Sequence, residues 1–565
     1  MGVSPVVEAS IAAAGQEQTQ TDSAPSLPGV VGEPEALWPK LDHLLYLPIL
    51  GLTRPRDLYY YQGKGLHVLY GFTYKYLTVE HFAGQLSRWQ VGYPLADALA
   101  DCYSQAWYPG QAAIFIFTDW HTKPHWTKQP AHSGHIAMLE RIMPGTKQLI
   151  INGPGGHLLG GWNSVMDDHL SHVLVDLELE LADKLHRPIA YNVFDSEGGG
   201  QPTGERYAEA ERCYLSVLPR QGDQRLSEFE LLGEWEPVEG DPDRQAVKAR
   251  WKDQVKADQD PRQLVLMRPT GQVDPTRVYV GRLPEEWSAG SVPDRFRQRW
   301  LHQERVIRQM IAGANLNANF GYTYQEVPNR THQRQWEEAQ ESVEASERQL
   351  AERQEALINL SKSLTRLRHS FRQEREELVQ QIEALGADMR QRQEQGQAIR
   401  QCQRGLSHRQ RRLAEVTHRF KRRRRRLLEK VAHNRTRRSE LRQDLAQRQA
   451  ARDAIDTHSL CRERSLEKDQ LMLDMQVLLT NLHDWTRQHY FAPEWQHLEL
   501  DTAIHLIYRK PGRVHSKPEA IEVVFDPYRY PEHQQAMEES CRRLNAAQVH
   551  WRDGRLLHFR VEPKP

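Results

Sequence analysis

Cysteine is scarce and scattered: five residues in 565, at 102, 213, 402, 461 and 541, with no Cys-x-x-Cys pair. That spacing excludes a disulfide framework and a zinc knuckle, and it suits a reducing interior. No apolar run approaches the ~18 residues of a membrane span, and no basic segment leading into an apolar stretch opens the chain. The expectation is a cytoplasmic protein with no membrane partner. Net charge is absent too, because Lys+Arg 75 balance Asp+Glu 75. The average conceals an uneven distribution, since residues 404–442 are crowded with arginine and include KRRRRR at 421–426. A chain of this length exceeds what a single hydrophobic core supports, so several domains are expected.

Residues 1–34 are small, polar and rich in Pro and Gly, which predicts a disordered leader. Over 35–110, LDHLLYLPILGL, LTVEHFAGQLSRW and PLADALADCYSQAW place apolar residues three and four apart, predicting a small helical domain. The last two segments fit a helix-turn-helix that would bind DNA, and fit better as two short helices on a core. An α/β region follows at 111–200, with apolar strands at 113–118 and 188–195, two short strands around the Pro-Gly-Gly turn of 147–161, and the amphipathic helix DDHLSHVLVDLELELADKL. Residues 201–290 read as a β-rich insertion punctuated by Asp, Pro and Gly. The helix DRFRQRWLHQERVIRQMIAGANLN then returns the chain to the α/β region, over 291–333.

From 334 to 455 the pattern changes. Leu357, Leu360, Leu364, Leu367, Phe371 and Leu378 keep a three-four spacing with one lapse at Glu374, and Leu413, Val416, Phe420 and Leu427 resume it beyond Gly396 and Gly405. Two long helices around a short loop predict an arginine-rich antiparallel coiled-coil hairpin. Residues 456–565 are expected to be a small α+β domain, with AIHLIYRK and AIEVVFDPY as a hairpin.

The stretch IFIFTDWHTKPHW, 114–126, runs an unbroken apolar strand into Asp119. PIAYNVFD ends a second such strand in Asp195, and the later helix carries Glu304. Carboxylates gathered from distant segments repel one another and stay ionised only around a cation. All-oxygen ligands favour Mg²⁺ or Mn²⁺, and two such ions about 4 Å apart activate and stabilise the oxygens of a phosphodiester. Strand-terminal aspartates also serve as helix caps, and spacing alone favours that plainer role.

The wording around each acid points further. FTDWHTKPHWTKQPAHSGHIAMLERIMPGTKQLIINGPGGHLL resembles the first catalytic block of DDE-type insertion-sequence transposases, with its Asp, His-x-Lys-Pro and Pro-Gly-Thr. PIAYNVFDSEGGG resembles the second block, and RFRQRWLHQERVIRQMIAGANLNANFGYTYQEVPNRT the third. The likeness spans roughly 40–335. It implies an RNase H-like catalytic core over 111–200 and 291–333, with Asp119, Asp195 and Glu304 as the catalytic metal ligands. It also implies His121 and Lys123 beside the first metal as DNA contacts, with Lys123 holding a phosphate, and Arg299 and Arg308 near DNA phosphates. There are departures: Trp300 stands where an arginine four residues before the glutamate is usual, Ile311 where a lysine seven residues after it is usual, and Ser196 where arginine is frequent. Glu197 reads as a third-shell ligand or, more simply, as a cap of the following turn.

Within the hairpin, Arg422, Arg423 and Arg424 either contact phosphates or pair with Glu374, Glu376 and Glu377 on the first arm. Taken together, the sequence predicts a multidomain α/β transposase that binds double-stranded DNA at element ends and target, acts as a homodimer with two Mg²⁺ or Mn²⁺ ions, and works at the bacterial nucleoid. The alternatives are a metal-dependent DNA nuclease without strand transfer and a non-enzymatic DNA-binding coiled-coil protein derived from a transposase.

Overall fold

The computed structural model describes residues 3–21, 34–60, 69, 75–127, 131–166, 168–218, 224–253, 257, 260–320, 324–395 and 398–563. It separates into two compact units, one formed by Met1–Val327 with Cys461–Pro565 and the other by Pro328–Leu460. The first unit is mixed α/β around a large central sheet. Among the described residues no helix is long and apolar enough to cross a membrane.

The sheet is built on β1 (Ile114–Pro124). Its neighbours are β2 (Ser133–Ile136), β3 (Arg141–Asn152), β4 (Leu158–Val165), β5 (Ile189–Phe194) and β6 (Tyr214–Val217). β3 pairs antiparallel with β1 and β4 antiparallel with β3, whereas β5 runs parallel to β1 and β6 parallel to β5. Beyond β6 the same sheet continues through β7 (Phe229–Leu231), β8 (Glu236–Val238), β9 (Asp241–Trp251), β10 (Gln263–Pro269) and β11 (Arg277–Arg282), with β11 next to β6. The segment expected as a separate β-rich insertion at 201–290 therefore begins with a helix, Gln201–Glu209, and with a core strand, β6. Its remaining strands extend the central sheet, because β6 offers β11 an unpaired edge.

Strand alternation on β1 is clean. Ile114 and Ile116 enter one apolar cluster and Phe117 the opposite one, so successive side chains serve two buried faces. One face is covered by α4 (Gly92–Trp107), α5 (Leu170–Lys184) and α6 (Gln201–Glu209). The other is covered by α7 (Ser291–Arg299) and α8 (Arg305–Gly313).

Three expectations fail here. Within the predicted disordered leader, Val3–Thr21 forms α1, with Val7 and Ile11 buried, because VVEASIAAA carries apolar residues at helical spacing; residues 22–33 lie outside the described residues. The helical segments α2 (Pro34–Leu45) and α3 (Tyr76–Arg88), together with α4, form no free-standing domain. They share a core with α11 (Glu467–His489), from the region expected to be a separate C-terminal domain. The cause is that α11 is buried without a break from Asp469 to Asn481, its apolar residues interleaved with buried Asp469, Gln470, Asp474, Gln476 and Asn481, so it has to be surrounded by other elements that also supply polar partners. AIHLIYRK is likewise no strand: Ile504–Tyr508 is a π-turn whose Ile504 and Ile507 face the interior. The hairpin partner of β13 (Ala520–Phe525) is instead β12 (Gly512–Ser516), and β14 (Leu556–Val561) pairs parallel with β13 after the crossover helix α12 (Pro531–Ala546).

The second unit holds α9 (Arg330–Glu394) and α10 (Arg400–Asp453), antiparallel in fixed register. Gln340 meets Arg452, Phe371 stacks on Phe420 with centroids 4.0 Å apart, and Asp388 meets Cys402.

Beneath β1 lies a buried polar chain. The Thr118 hydroxyl donates to Asn192 Oδ1 (2.9 Å), Asn192 Nδ2 to the Tyr207 hydroxyl (3.3 Å), and that hydroxyl to Glu178 Oε2 (2.9 Å). Burial pushes the Glu178 carboxyl from 4.5 up to about 7. The folded state thus keeps a proton that the unfolded chain loses between those values, so this group's contribution to stability falls as pH rises through that window. Glu178→Gln should abolish that slope and gain roughly 2–4 kcal/mol over wild type at pH 8, as read by urea unfolding at pH 5 and pH 8.

Candidate active site

Asp119 does not sit at the end of its strand, as the sequence suggests, but midway along it. Parallel pairing of β1 with β5 stops at Thr118, while antiparallel pairing with β3 runs on to Pro124. Asp119 is therefore the first residue beyond the shared edge with β5, and Asp195 is the residue that follows β5. Adjacent parallel strands place the two carboxylates side by side at their carboxyl ends.

Glu304 arrives from the helix across the sheet. Between α7 and α8 the backbone widens into a π-turn, Trp300–Glu304, with the Arg305 N–H donating to the Trp300 carbonyl. In an uninterrupted α-helix, residues five apart point ~140° from each other. A π-turn closes i to i+5 and brings them onto one face. Arg299 and Glu304 are five apart, and here they meet: Arg299 Nη2 donates to Glu304 Oε1 at 2.7 Å. The wider turn thus brings a cation five residues before the glutamate into contact with it.

The Arg299 guanidinium does more than bind its helix neighbour. Its Nη1 donates to Asp119 Oδ2 at 3.0 Å, and its Nη2 lies 3.8 Å from Asp195 Oδ1. All three acids converge on this one cation, whose side chain is 9 % exposed. Sequence reasoning assigned Arg299 to DNA phosphates; the structure turns it inward, because three carboxylates packed together demand a counter-charge. Burial pushes Asp119 up to about 6, with Asp195 and Glu304 adding to the rise and Arg299 opposing it. Burial also raises Glu304, with the same opposition from Arg299.

His121 and Lys123 are corrected as well. His121 is 8 % exposed and its Nε2 bonds Asn317 Oδ1 at 2.7 Å, and burial lowers its pKa to about 4, which disfavours the charged ring. Lys123 is 1 % exposed; it pairs with Asp469 of α11 at 3.2 Å and donates to the Ala318 carbonyl. Arg464 flanks the same carboxylate at 3.4 Å and donates to Asn319 Oδ1 at 2.8 Å. The His-x-Lys-Pro stretch and the Asn-Leu-Asn segment therefore grip each other and α11. Burial alone would push Asp469 up, but Lys123 and Arg464 hold its carboxyl below the ordinary range.

Glu197 is not drawn to the acids. It accepts from the Leu170 N–H at the start of α5 and pairs with Lys147, both at 3.4 Å. Arg308 is exposed, and its guanidinium carbon lies 4.9 Å from the Trp300 ring centroid. Ile311 packs against the helical core, so no cation stands at its position. In the other unit, Arg422, Arg423 and Arg424 are exposed, and no ion pair among the described residues joins them to Glu374, Glu376 or Glu377.

The Gly-Pro-Gly-Gly turn was legible only as a turn, yet it buttresses the site. Gly155 and Gly156 have φ of +74° and +85°, and a Cβ on Gly156 would lie 3.2 Å from the His302 backbone within the π-turn. Gln303, fully buried, donates to the Ile150 carbonyl on β3 and fixes the same turn from the sheet side. Beside the acids opens a cavity of about 570 Å³, lined by Asp195, Glu304, Arg299, Trp300, Phe296 and Tyr279 among others.

The donor set fits a hard, oxygen-preferring dication. Its present spacing does not: among the described residues no group of three His, Cys, Asp or Glu side chains is arranged to hold a metal ion. Asp119, Asp195 and Glu304 are spread around a guanidinium instead of a point ion.

No family profile matches the chain, and no curated protein matches it. Among solved structures it is similar to piggyBac transposase, seen by cryo-EM in a synaptic complex with hairpin DNA. The identity is 10 % and the TM-score 0.31, over 54 % of this chain and 66 % of that one, so the match spans just under two-thirds of that protein's length. The functional conclusion therefore rests on the carboxylates and their surroundings.

Asp469→Asn should leave Lys123 and Arg464 buried without their counter-ion, at a cost of ~3–5 kcal/mol in urea unfolding followed by tryptophan fluorescence.

Proposed function

We propose that the chain is a DDE-type DNA transposase, a metal-dependent phosphoryl-transfer enzyme that cuts at element ends and joins the freed 3′-hydroxyls to target DNA. The observation that carries this is the convergence of Asp119, Asp195 and Glu304, from two neighbouring strands and a facing helix, upon a single positive charge. In support, the order β4-β3-β1-β5-β6, antiparallel at β4-β3-β1 and parallel onward, agrees with an RNase H-like core whose helix α7–α8 brings the third acid. The strands β7–β11 are then an insertion before that helix.

Asp119, Asp195 and Glu304 would hold Mg²⁺ or Mn²⁺, in a pair, which supplies an activated water or 3′-hydroxyl and steadies the leaving oxygen. The acids themselves have to be ionised to do so, and because burial pushes Asp119 up to about 6, a metal ion competes with its proton as pH falls. Arg308, exposed four residues after Glu304, would meet a phosphate of the strand being cut. Arg422, Arg423 and Arg424, exposed and unmatched by acids of α9, give the hairpin salt-sensitive affinity for double-stranded DNA that carries no sequence information. Two protomers would pair the two element ends. The competing reading, a DNA-binding protein without catalysis, is favoured by one feature: Arg299 already occupies the centre of the acid cluster and offsets part of its charge.

Nicking and joining of a DNA fragment carrying the sequences that flank this gene, with Mg²⁺ or Mn²⁺, separates the two. Asp119→Asn, Asp195→Asn and Glu304→Gln should each lose on the order of 10³-fold in rate while retaining DNA affinity. DNA binding by wild type with no cleavage under either metal would leave the non-catalytic reading standing. Replacing Arg422, Arg423 and Arg424 together by alanine should lower the slope of log affinity against log salt by roughly 3, as measured by fluorescence anisotropy of a labelled duplex.

A further inference from the structure

Arg299 and a metal ion cannot share the carboxylate cluster. Oxygen ligands of Mg²⁺ stand ~2.1 Å from the ion, with Mn²⁺ a comparable hard cation. In this structure the acid oxygens stand 2.7, 3.0 and 3.8 Å from guanidinium nitrogens, with the guanidinium between them. A point ion at the centre of these oxygens would overlap the arginine. Either the three acids belong permanently to Arg299 or the arginine leaves when the ion comes.

Several features favour exchange. Three carboxylates against one guanidinium leave the cluster with two negative charges in excess, so Arg299 only partly offsets the repulsion. A dication in its place leaves one, and a second dication reverses the sign. Arg299 also has somewhere to go. It borders the cavity of about 570 Å³, and its guanidinium carbon lies 5.7 Å from the ring of Phe296, another lining residue. The guanidinium already lies within cation-π range of that ring, a contact it can keep while withdrawing from the acids and one an arginine makes more readily than a hydrated ammonium. Finally, the π-turn that brings Arg299 into line with Glu304 is a rare backbone form, and such turns concentrate at functional sites. A helix that needed Glu304 alone would not need it.

We infer that Arg299 is an exchangeable internal counter-ion: it holds Asp119, Asp195 and Glu304 together until a divalent cation displaces its guanidinium toward the adjoining cavity. The inference rests on reading the three acids as a metal site. It adds that the metal-free site is closed by the protein's own cation, so that loading is a competition between Arg299 and the ion. Arg299 is on this account a positioning residue that sets the metal affinity of the site.

The test is Mn²⁺ binding by the full-length chain without DNA, read by electron paramagnetic resonance of free Mn²⁺, together with thermal melting with and without the ion. Wild type is compared with Arg299→Gln, Arg299→Lys and Glu304→Gln. Arg299→Gln should bind Mn²⁺ about tenfold or more tightly than wild type, equivalent to ~1.4 kcal/mol or more. It should melt lower than wild type without metal and gain more on Mn²⁺ addition. Arg299→Lys, a smaller donor that bridges fewer oxygens, should fall between the two, and it decides the matter if the glutamine variant does not fold. Glu304→Gln should bind weakly. Equal Mn²⁺ affinity in wild type and both Arg299 variants, lost in Glu304→Gln, would overturn the exchange while leaving the metal site intact. No Mn²⁺ bound at millimolar concentration by wild type or by either Arg299 variant would instead remove the metal site, and the exchange with it.

Discussion

Like charges do not assemble without a reason, and in this protein the reason is a guanidinium. The Arg299 contacts to Asp119, Asp195 and Glu304 tie together two strands and a helix that are as much as 185 residues apart in the chain, counting from 119 to 304. Each partner arrives by a different constraint. Asp119 is fixed by the point at which β1 loses β5 as a neighbour, Asp195 by the end of β5, and Glu304 by a widened helical turn. If any of these shifted by one residue, its side chain would point to another face, since strands alternate with period two and a helix turns ~100° per residue. The site is therefore a sensitive reporter of register across the whole sheet.

A second ionic cluster holds that register. Lys123 and Asp469 are almost wholly buried, and Arg464 joins them. Burying three charges is rarely the cheapest way to stabilise a core, and an apolar replacement is often as good. What the cluster adds is specificity: Lys123 lies four residues beyond Asp119 on the same face of β1, and its only route to neutrality here runs through α11. The His121–Asn317 and Arg464–Asn319 bonds link the same strand and helix to the loop that follows α8. The loop after the glutamate helix, the strand of the first aspartate and a helix 350 residues after that aspartate, counting from 119 to 469, are thus locked together further along β1, four residues beyond Asp119.

Much of this was legible in the sequence, and the rest was not for identifiable reasons. Unbroken apolar strands ending in aspartate announced a sheet covered on both faces, and the spacing that marks Phe371 and Phe420 as seam residues puts their rings in contact. That Asp119, Asp195 and Glu304 come together was legible from the motifs around them, and the meeting of the two aspartates follows from strand adjacency. Three things were hidden. Local patterning cannot say what a helix packs against, so α11 was not seen as the element around which α2, α3 and α4 assemble. A polar residue in a motif looks the same whether it faces substrate or a buried partner, which is why His121 and Lys123 were assigned to DNA. The run HLIY was read for strand although Ile504 and Ile507 stand three apart, a spacing that a short apolar run shares with neither pattern decisively.

The most instructive case is the arginine that seemed misplaced. Read at α-helical pitch, Arg299 and Glu304 diverge, and the exposed Trp300 takes the position expected for the cation. One additional residue in the turn restores the face, leaving Trp300 and Leu301 outside and Gln303 inside against Ile150. That arrangement needs room for a wider helix, and Gly156 helps provide it, since its φ is +85° and a Cβ there would lie 3.2 Å from the His302 backbone. The Gly-Pro-Gly-Gly turn and the π-turn are therefore one device. One extra residue in the turn thus carries Arg299 to the acids and leaves Trp300 outside.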